Sequence, residues 1–166
     1  WDGGEVPPEY GVRGFRGTTL HLLEAAPTAK VLTRLFGFSE AERRGNIIHY
    51  TTDAPLGGSV IIEEGTEKYP VSGRGVIHHI AFRAKDDEAL VTLREEVLNL
   101  GLHPTELTDR HWFHSVYFRS PGGVLFEIAT DGPGYAVDEQ PDKLGQKLIL
   151  PPWLESQREQ IEKRLP

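Results

Sequence analysis

The sequence predicts an α+β fold made of two βαβββ units in tandem, whose mixed sheets form cups with the helices outside. Segments that alternate apolar and polar residues, as strands do, flank segments with the helical period. This order occurs twice, over residues 17–70 and 71–135. Turns rich in Gly and Pro separate the segments. With 166 residues, the chain is long enough to bury a core.

The first unit begins with the alternating segment GTTLHLLEA, residues 17–25, which predicts a strand. Pro27 stands where a helix can begin, and Gly37 predicts its end. Residues 45–52 and 59–63 predict two further strands, joined by a glycine turn. The apolar stripe of the helix consists of Val31, Leu32, Leu35 and Phe36.

The second unit repeats this order, beginning with a predicted strand over residues 75–84. Asp86 or Asp87 is a suitable N-cap for the next helix, and Gly101 predicts its end. The apolar stripe of this helix consists of Leu90, Leu93, Val97 and Leu100. Three more strands are predicted at residues 105–108, 112–119 and 124–129.

The two ends of the chain lack this pattern. Residues 1–16 are rich in Gly and Pro and predict an arm or linker. Residues 136–166 are mostly polar and predict a tail with a short charged helix near its end. Residues 65–75 predict a loop between the two units.

Composition argues against several classes of protein. The net charge of −7 argues against a nucleic-acid surface. No apolar run approaches the roughly 18 residues of a membrane-spanning helix, so no membrane partner is expected. The absence of cysteine excludes disulfides and thiolate chemistry, and it fits a cytoplasmic protein.

His79 and Glu127 each interrupt an apolar predicted strand, VIHHIAF and GGVLFEIA. Alternation places His79 on one face of its strand and His78 on the other, unless a bulge turns His78 round. A carboxylate in an apolar strand is costly unless it is paired or bound to a metal. His79 and Glu127 could therefore be two ligands of a two-histidine, one-carboxylate metal site. Glu127 could instead pair with Arg110 or Arg119 across the sheet.

Three segments carry a resemblance to a known family: GVIHHIAFRAKDDEALVTLREEV, DRHWFHSVYFRSPGGVLFEIATDGPGY and LGQKLILPPWLESQREQIEKRLP. They resemble the C-terminal half of the ring-cleaving dioxygenases that open hydroquinones. These enzymes belong to the vicinal-oxygen-chelate superfamily, which also contains glyoxalases, bleomycin resistance proteins and extradiol dioxygenases. The resemblance implies the vicinal-oxygen-chelate fold, in agreement with the tandem βαβββ units.

The resemblance also implies a site. His79 and Glu127 match two ligands of a mononuclear iron(II), or sometimes manganese(II), with no organic cofactor. The third ligand of the family is a histidine in an N-terminal half that has no counterpart in this sequence. His78, Arg110 and Tyr117 match the groups around the substrate and are expected to be catalytic. A base, an oxyanion donor and a fixed cation are the roles that such side chains can fill.

The expected partners are a small aromatic substrate, O2, the N-terminal half of the same protein and a second copy in a homodimer. The isolated chain is expected to be inactive. One alternative is a glyoxalase-type lyase or isomerase of two units. In that arrangement His21, set against His79 by the repeat, and Glu63 or Glu64 complete the metal site. Another alternative is a metal-free binding or resistance module of the same fold.

Overall fold

The structure is a computed structural model that describes residues 5–65 and 73–165. The chain divides into two compact units. Unit 1 comprises Trp1–Val76 with Ser120–Val124, and unit 2 comprises Ile77–Arg119 with Leu125–Pro166. The first four residues of the predicted arm, most of the predicted loop between units and the predicted boundary at residues 70 and 71 lie outside the described residues.

Unit 1 is a βαβββ unit with a mixed four-stranded sheet in the order β1-β4-β3-β2. The parallel pair is β1 with β4, and the other two pairs are antiparallel. Its elements are β1 Gly17–Leu22, α1 Ala26–Leu35, β2 Ser39–Arg44, β3 Ile47–Thr51 and β4 Ser59–Glu64. The buried side chains of α1 include three of the four in the predicted stripe, since Phe36 follows the last helical residue.

Unit 2 repeats the same topology, with the strand order β5-β8-β7-β6 and a parallel pair between β5 and β8. Its elements are β5 Ile80–Ala84, α2 Asp87–Asn99, β6 Thr108–Asp109, β7 Phe113–Arg119 and β8 Leu125–Pro133. Helix α2 packs against β5, β7 and β8. The predicted α+β class and the two βαβββ units are therefore confirmed.

Three strands differ clearly from their predicted positions, and β6 is one of them, since it begins at Thr108 and not at residue 105. Strand β2 was not predicted, because all six of its residues are exposed and polar or small, so no apolar alternation marks it. Strand β5 begins at Ile80, five residues later than predicted, so His78 and His79 precede the strand. Residues 73–78 precede this strand, and all six of them are exposed.

Both long helices end at the glycine that the sequence predicted. Gly37 and Gly101 have positive φ angles of 68° and 77°. The next residue in each case donates its amide to a carbonyl inside the helix, from Phe38 to Leu32 and from Leu102 to Val97. Glycine adopts this left-handed conformation at little cost, which ends the helix cleanly.

Asp86 caps α2, and the effect of removing this cap can be predicted. Its side chain accepts a hydrogen bond of 2.9 Å from the amide of Ala89. We expect Asp86→Ala to lower the free energy of unfolding by about 1 kcal/mol, because that amide loses its partner. Chemical denaturation measures the change. Asp86→Ser should retain most of the stability, and an equal loss in both variants would contradict the capping role.

The two units can be aligned through their buried residues. Ile48 and Ile62 face each other across β3 and β4 and are fully buried. Val116 and Ile128 do the same across β7 and β8. Strands β3 and β4 hold the same places in the first sheet as β7 and β8 hold in the second. Both pairs also lie on the buried face of their sheet, so we treat them as equivalent positions.

This alignment corrects the pairing of His21 with His79 that the sequence repeat suggested. In the strand register, Leu20 is opposite Ile62, and Phe82 is opposite Ile128. Leu20 is therefore equivalent to Phe82, which makes Arg83 the equivalent of His21. The pattern comparison shifted the strand by four residues, because a period of two is preserved by any even shift.

The tail belongs to unit 2 and contains only short helices. Pro152–Gln157 is a 3-10 helix, and α3 spans Arg158–Glu162, which replaces the single predicted helix. Arg158 fixes this segment by bonding Glu155 at 2.6 Å and the carbonyl of Leu148 at 3.1 Å. Among the described residues, no helix has both the length and the apolar character needed to span a membrane.

Candidate metal centre

His79 and Glu127 form a direct contact in unit 2, between the segment that precedes β5 and the inner strand β8. Glu127 lies in β8 opposite Ala81, and His79 precedes Ala81 by two residues. The distance from His79 Nε2 to Glu127 Oε2 is 2.8 Å. The side chain of Glu127 is 4% exposed and that of His79 is 32% exposed. The alternation that placed both on one face holds, although His79 lies just outside the strand.

The second oxygen of Glu127 supports metal binding. Oε1 is buried and has no hydrogen-bond partner among the described residues. A buried carboxylate oxygen without a partner is costly, and such groups are concentrated at functional sites. The pair places one imidazole nitrogen and one carboxylate next to each other, a donor set that suits iron(II) and manganese(II). The two residues therefore fit the metal that the resemblance implies.

His78 contacts His79 instead of packing beneath a helix. The Nδ1 atoms of the two rings are 2.8 Å apart, and the rings are nearly perpendicular, at 89°. The side chain of His78 can depart from the alternation of a regular strand, because both histidines precede β5. One ring must donate and the other accept, so His78 fixes the orientation and tautomer of His79.

Tyr117 lies beside this pair, opposite Glu127 in the pairing of β7 with β8. Its ring meets the ring of His79 edge to face at 5.5 Å. Burial raises the pKa of Tyr117, the neighbouring Glu127 carboxylate raises it further, and Arg110 opposes the change. Tyr117 therefore remains a phenol, a hydrogen-bond donor, at neutral pH.

Arg110 completes the group of five residues that the sequence singled out. Its guanidinium carbon lies 5.6 Å from the centre of the Tyr117 ring. Arg110 stands in the turn between β6 and β7, and its amide donates to the carbonyl of Phe113 at 2.9 Å. Glu127 thus pairs with His79, while Arg110 lies over the neighbouring tyrosine. The structure brings His78, His79, Arg110, Tyr117 and Glu127 together within unit 2.

The titration of Tyr117 tests this electrostatic arrangement. We expect Glu127→Gln to lower the pKa of Tyr117 towards its ordinary value, and Arg110→Gln to raise it, because these side chains act in opposite directions. Ultraviolet absorbance of tyrosinate measures both changes in metal-free protein, with Tyr117→Phe identifying the signal. Since folding raises this pKa, its contribution to stability is present below pH of about 10 and is lost as the pH rises through the folded value.

Glu63 and Glu64, the two carboxylates considered in unit 1, make different contacts. His21 lies opposite Glu63 in β1 and β4, with Nδ1 3.2 Å from Oε2. Both side chains are well exposed, at 61% and 40%. Glu64 instead accepts a hydrogen bond of 2.8 Å from the amide of Ala25, the N-cap of α1. Of the two carboxylates considered, only Glu63 contacts His21.

His111 is a residue that spacing did not identify. It has a positive φ of 74°, which is uncommon for a residue other than glycine. Its amide donates to Asp109 at 2.6 Å, and its Nε2 lies 2.8 Å from Asp138. Trp112 donates to the same Asp138 oxygen at 2.8 Å. These bonds join the turn that carries Arg110 to the start of the tail, a connection that depends on residues distant in sequence.

Within residues 5–65 and 73–165, no group of three or more His, Asp or Glu side chains is arranged to hold a metal ion. The His79–Glu127 contact is a two-residue pair in that part of the chain. The His21–Glu63 contact is another.

Comparison with known proteins shows the family of this chain. The Bacillus subtilis (strain 168) protein named "Putative ring-cleaving dioxygenase MhqA" is 37% identical over 96% of this chain. The chlorohydroquinone/hydroquinone 1,2-dioxygenase of Sphingobium indicum is 32% identical over 97% of it. The chain spans about half the length of these curated relatives, 53% and 51% respectively.

A solved crystal structure from Bacillus subtilis has a TM-score of 0.93 and 36% identity, covering 98% of this chain and 53% of that one. A lactoylglutathione lyase structure from Agrobacterium tumefaciens, at 15% identity and a TM-score of 0.57, shares the fold. The profile described as Glyoxalase/Bleomycin resistance protein/Dioxygenase superfamily matches residues 21–128. The chain therefore belongs to this superfamily.

Proposed function

We propose that this chain is the C-terminal domain of an iron(II)-dependent dioxygenase that uses O2 to open hydroquinone-like or catechol-like rings. The observation that carries the proposal is the contact between His79 and the buried Glu127, whose second oxygen has no partner among the described residues. The names of relatives at 32–37% identity support ring cleavage as the reaction. Manganese(II) is the other metal that this donor set suits.

His79 and Glu127 would hold the metal through Nε2 and the carboxylate. A ferrous ion with open coordination positions supplies binding sites for a phenolic oxygen and O2 and permits electron transfer between them. The chain itself supplies two ligands, and we propose that the third comes from an N-terminal half of the same protein. The length of the relatives, nearly twice that of this chain, supports this arrangement.

Three side chains beside the pair have distinct roles in the proposal. His78 holds the ring of His79 in place and can exchange a proton with a phenol through Nε2, its other ring nitrogen. Tyr117, kept protonated by burial and by Glu127, donates a hydrogen bond to an oxygen that gains negative charge. Arg110 supplies a permanent positive charge over the Tyr117 ring, where it can hold an anionic ring substituent.

A second function has one observation in its favour. His21 and Glu63 form another histidine–carboxylate contact at 3.2 Å, now in unit 1. A two-unit lyase or isomerase of the glyoxalase type would use this contact to complete its metal site. The high exposure of both side chains makes it the weaker candidate, because exposed histidine–carboxylate pairs form readily without a functional role.

The two functions predict different metal binding by the isolated chain. The dioxygenase proposal expects weak binding by this chain and tight binding of one iron(II) when the N-terminal half is supplied. The assembled protein should then consume O2 with substituted hydroquinones or catechols, and the isolated chain should not. Oxygen-electrode measurements on a panel of both ring types test the reaction. Tight metal binding by the chain alone, or an assembled iron protein without oxygen uptake, would contradict it.

The remaining partners are also part of the proposal. We expect a cytoplasmic protein, in keeping with the absence of cysteine from the chain. A homodimer is expected, because each sheet ends in edge strands, which can pair with strands of another chain. Sedimentation equilibrium of the assembled protein measures its oligomeric state.

A further inference from the structure

Unit 1 contains an open cavity of about 350 Å³, a volume within the range of small-molecule sites. The segment before β1 and the connection between β3 and β4 form its walls. We propose that this cavity binds a small organic monoanion, a carboxylate attached to a planar apolar body. The site is distinct from the His79–Glu127 pair, because every residue of its lining belongs to unit 1.

The charge of the lining favours an anion. Arg13 and Arg16 both line the cavity, and its lining contains no Asp or Glu. Neither guanidinium forms an ion pair with any other described residue. Two arginines without an ion pair to another described residue stand out at one cavity in a chain with a net charge of −7. The planar, forked guanidinium matches a carboxylate, with which it can form two parallel hydrogen bonds.

The rest of the lining supplies hydrogen-bonding groups and an apolar surface. His49 Nε2 lies 2.8 Å from Ser59 Oγ, so the imidazole is held in a fixed orientation. Phe15 and Leu56 are also in the lining and are 86% and 53% exposed. Exposed apolar side chains next to cationic groups suit a ligand with one charged end and one flat apolar end.

The walls of the cavity are held together before any ligand binds. The amide of Gly57 donates a hydrogen bond of 2.8 Å to the carbonyl of Phe15. A Cβ atom at Gly14 would lie 2.8 Å from a methyl carbon of Leu56. A Cβ atom at Gly58 would lie 2.8 Å from the carbonyl oxygen of Ala54. The Gly57–Phe15 hydrogen bond joins the two walls, and glycine at position 58 lets the chain of one wall fold closely on itself, so the walls are positioned before a ligand arrives.

The position of the cavity in the fold is also informative. In the alignment of the two sheets, His49 is equivalent to Tyr117, and its neighbour Ile61 is equivalent to Glu127. Gly17 then takes the place of His79, opposite Ser59 of the lining. The cavity of unit 1 thus lies beside the positions that are equivalent to the candidate metal ligands of unit 2, and those positions hold Gly17 and Ile61 in place of metal-binding side chains.

Titration of the intact chain, in the presence of a metal chelator, tests the proposal. Benzoate is the probe, and benzamide is its neutral counterpart of similar shape. We expect benzoate to bind at least about tenfold more tightly, since charge-assisted hydrogen bonds are roughly twice as strong as neutral ones. Calorimetry measures both affinities. Benzoate should also shift the backbone amide resonances of His49, Gly57 and Ser59.

Variants identify the groups responsible. The double substitution Arg13→Gln with Arg16→Gln should weaken benzoate binding by at least about tenfold and leave benzamide unchanged. Arg34→Gln, which alters an exposed arginine of α1 outside the cavity, is the matched control. Equal affinity for the two probes, no measurable benzoate binding, or full affinity in the double variant would overturn the proposal. Because the test is performed without metal, none of these results bears on the dioxygenase proposal.

Discussion

Replacing Glu127 with alanine is expected to abolish iron binding by the protein assembled with its N-terminal half. The substitution removes one of the proposed ligands and leaves His79 without its partner at 2.8 Å. Loss of a residue that merely supports a ligand weakens metal affinity about 10–100-fold. Loss of the ligand itself should therefore exceed about 100-fold. Metal analysis after dialysis and competition titration with a chelator measure the effect, and oxygen uptake should disappear with the metal.

Glu63→Ala is the matched control for this experiment. Glu63 also contacts a histidine and lies on the parallel partner of β1, as Glu127 lies on the partner of β5. The dioxygenase proposal expects Glu63→Ala to retain iron and activity. Loss of metal in Glu63→Ala would instead favour the two-unit lyase, and iron retained in Glu127→Ala would remove the basis of the proposed site.

A readout without metal shows whether Glu127→Ala is folded. The substitution deletes a buried carboxylate of which one oxygen is bonded and the other has no partner among the described residues. Loss of the hydrogen bond to His79 lowers stability, whereas removal of a buried oxygen without a partner raises it. We expect the free energy of unfolding in chelator to change by less than about 2 kcal/mol. A chain that no longer unfolds cooperatively would show that Glu127 is needed for the fold.

Phe126→Ala is expected to have the largest effect on stability. Phe126 is fully buried, and its ring meets those of Phe82 and Phe118 edge to face at 5.2 Å and 5.7 Å. Removal of a buried aromatic ring leaves a cavity and typically costs about 3–5 kcal/mol. Such a loss is a large part of the total stability of a small domain, which is about 5–15 kcal/mol. Chemical denaturation with two spectroscopic probes measures it.

Phe126→Leu separates packing from backbone effects in this prediction. Leucine fills part of the same space and keeps the residue apolar, so it should recover a substantial part of the loss. Phe15→Ala provides the contrast of an aromatic side chain that is 86% exposed, and it should change stability by no more than about 0.5 kcal/mol. Equal losses in the alanine variants of Phe126 and Phe15 would contradict the assignment of Phe126 to the core.

The predicted and observed elements agree where hydrophobic pattern and turn chemistry act together. Both long helices end at the predicted glycines, because only a residue that accepts positive φ fits there. Strand β2 was missed, because a fully exposed edge strand has no buried face to impose alternation. Its position depends on backbone pairing with β3, which leaves no mark on the residue types.

The residues of the candidate site also differ in how far the sequence alone identified them. Glu127 stood out in the sequence because a carboxylate is expensive in an apolar strand, and the structure places it at 3% exposure. The role of His111 depends on Asp138, 27 residues away, and no local pattern reports such a contact. The register that separates His21 from His79 likewise depends on which strands pair, and sequence periodicity cannot distinguish shifts of two or four residues.

Local chemistry in the amino-acid sequence therefore sufficed for the fold class and the repeat of two βαβββ units, and it singled out Glu127 as a carboxylate in an apolar strand. These features depend on periodicity, glycine turns and the cost of burying charge, which neighbouring residues reveal. Tertiary structure alone decided that His79 Nε2 meets Glu127 Oε2, that Oε1 of Glu127 has no partner among the described residues, and that His78 contacts His79. Distances between side chains on separate elements depend on strand register and packing, which form only when the chain folds.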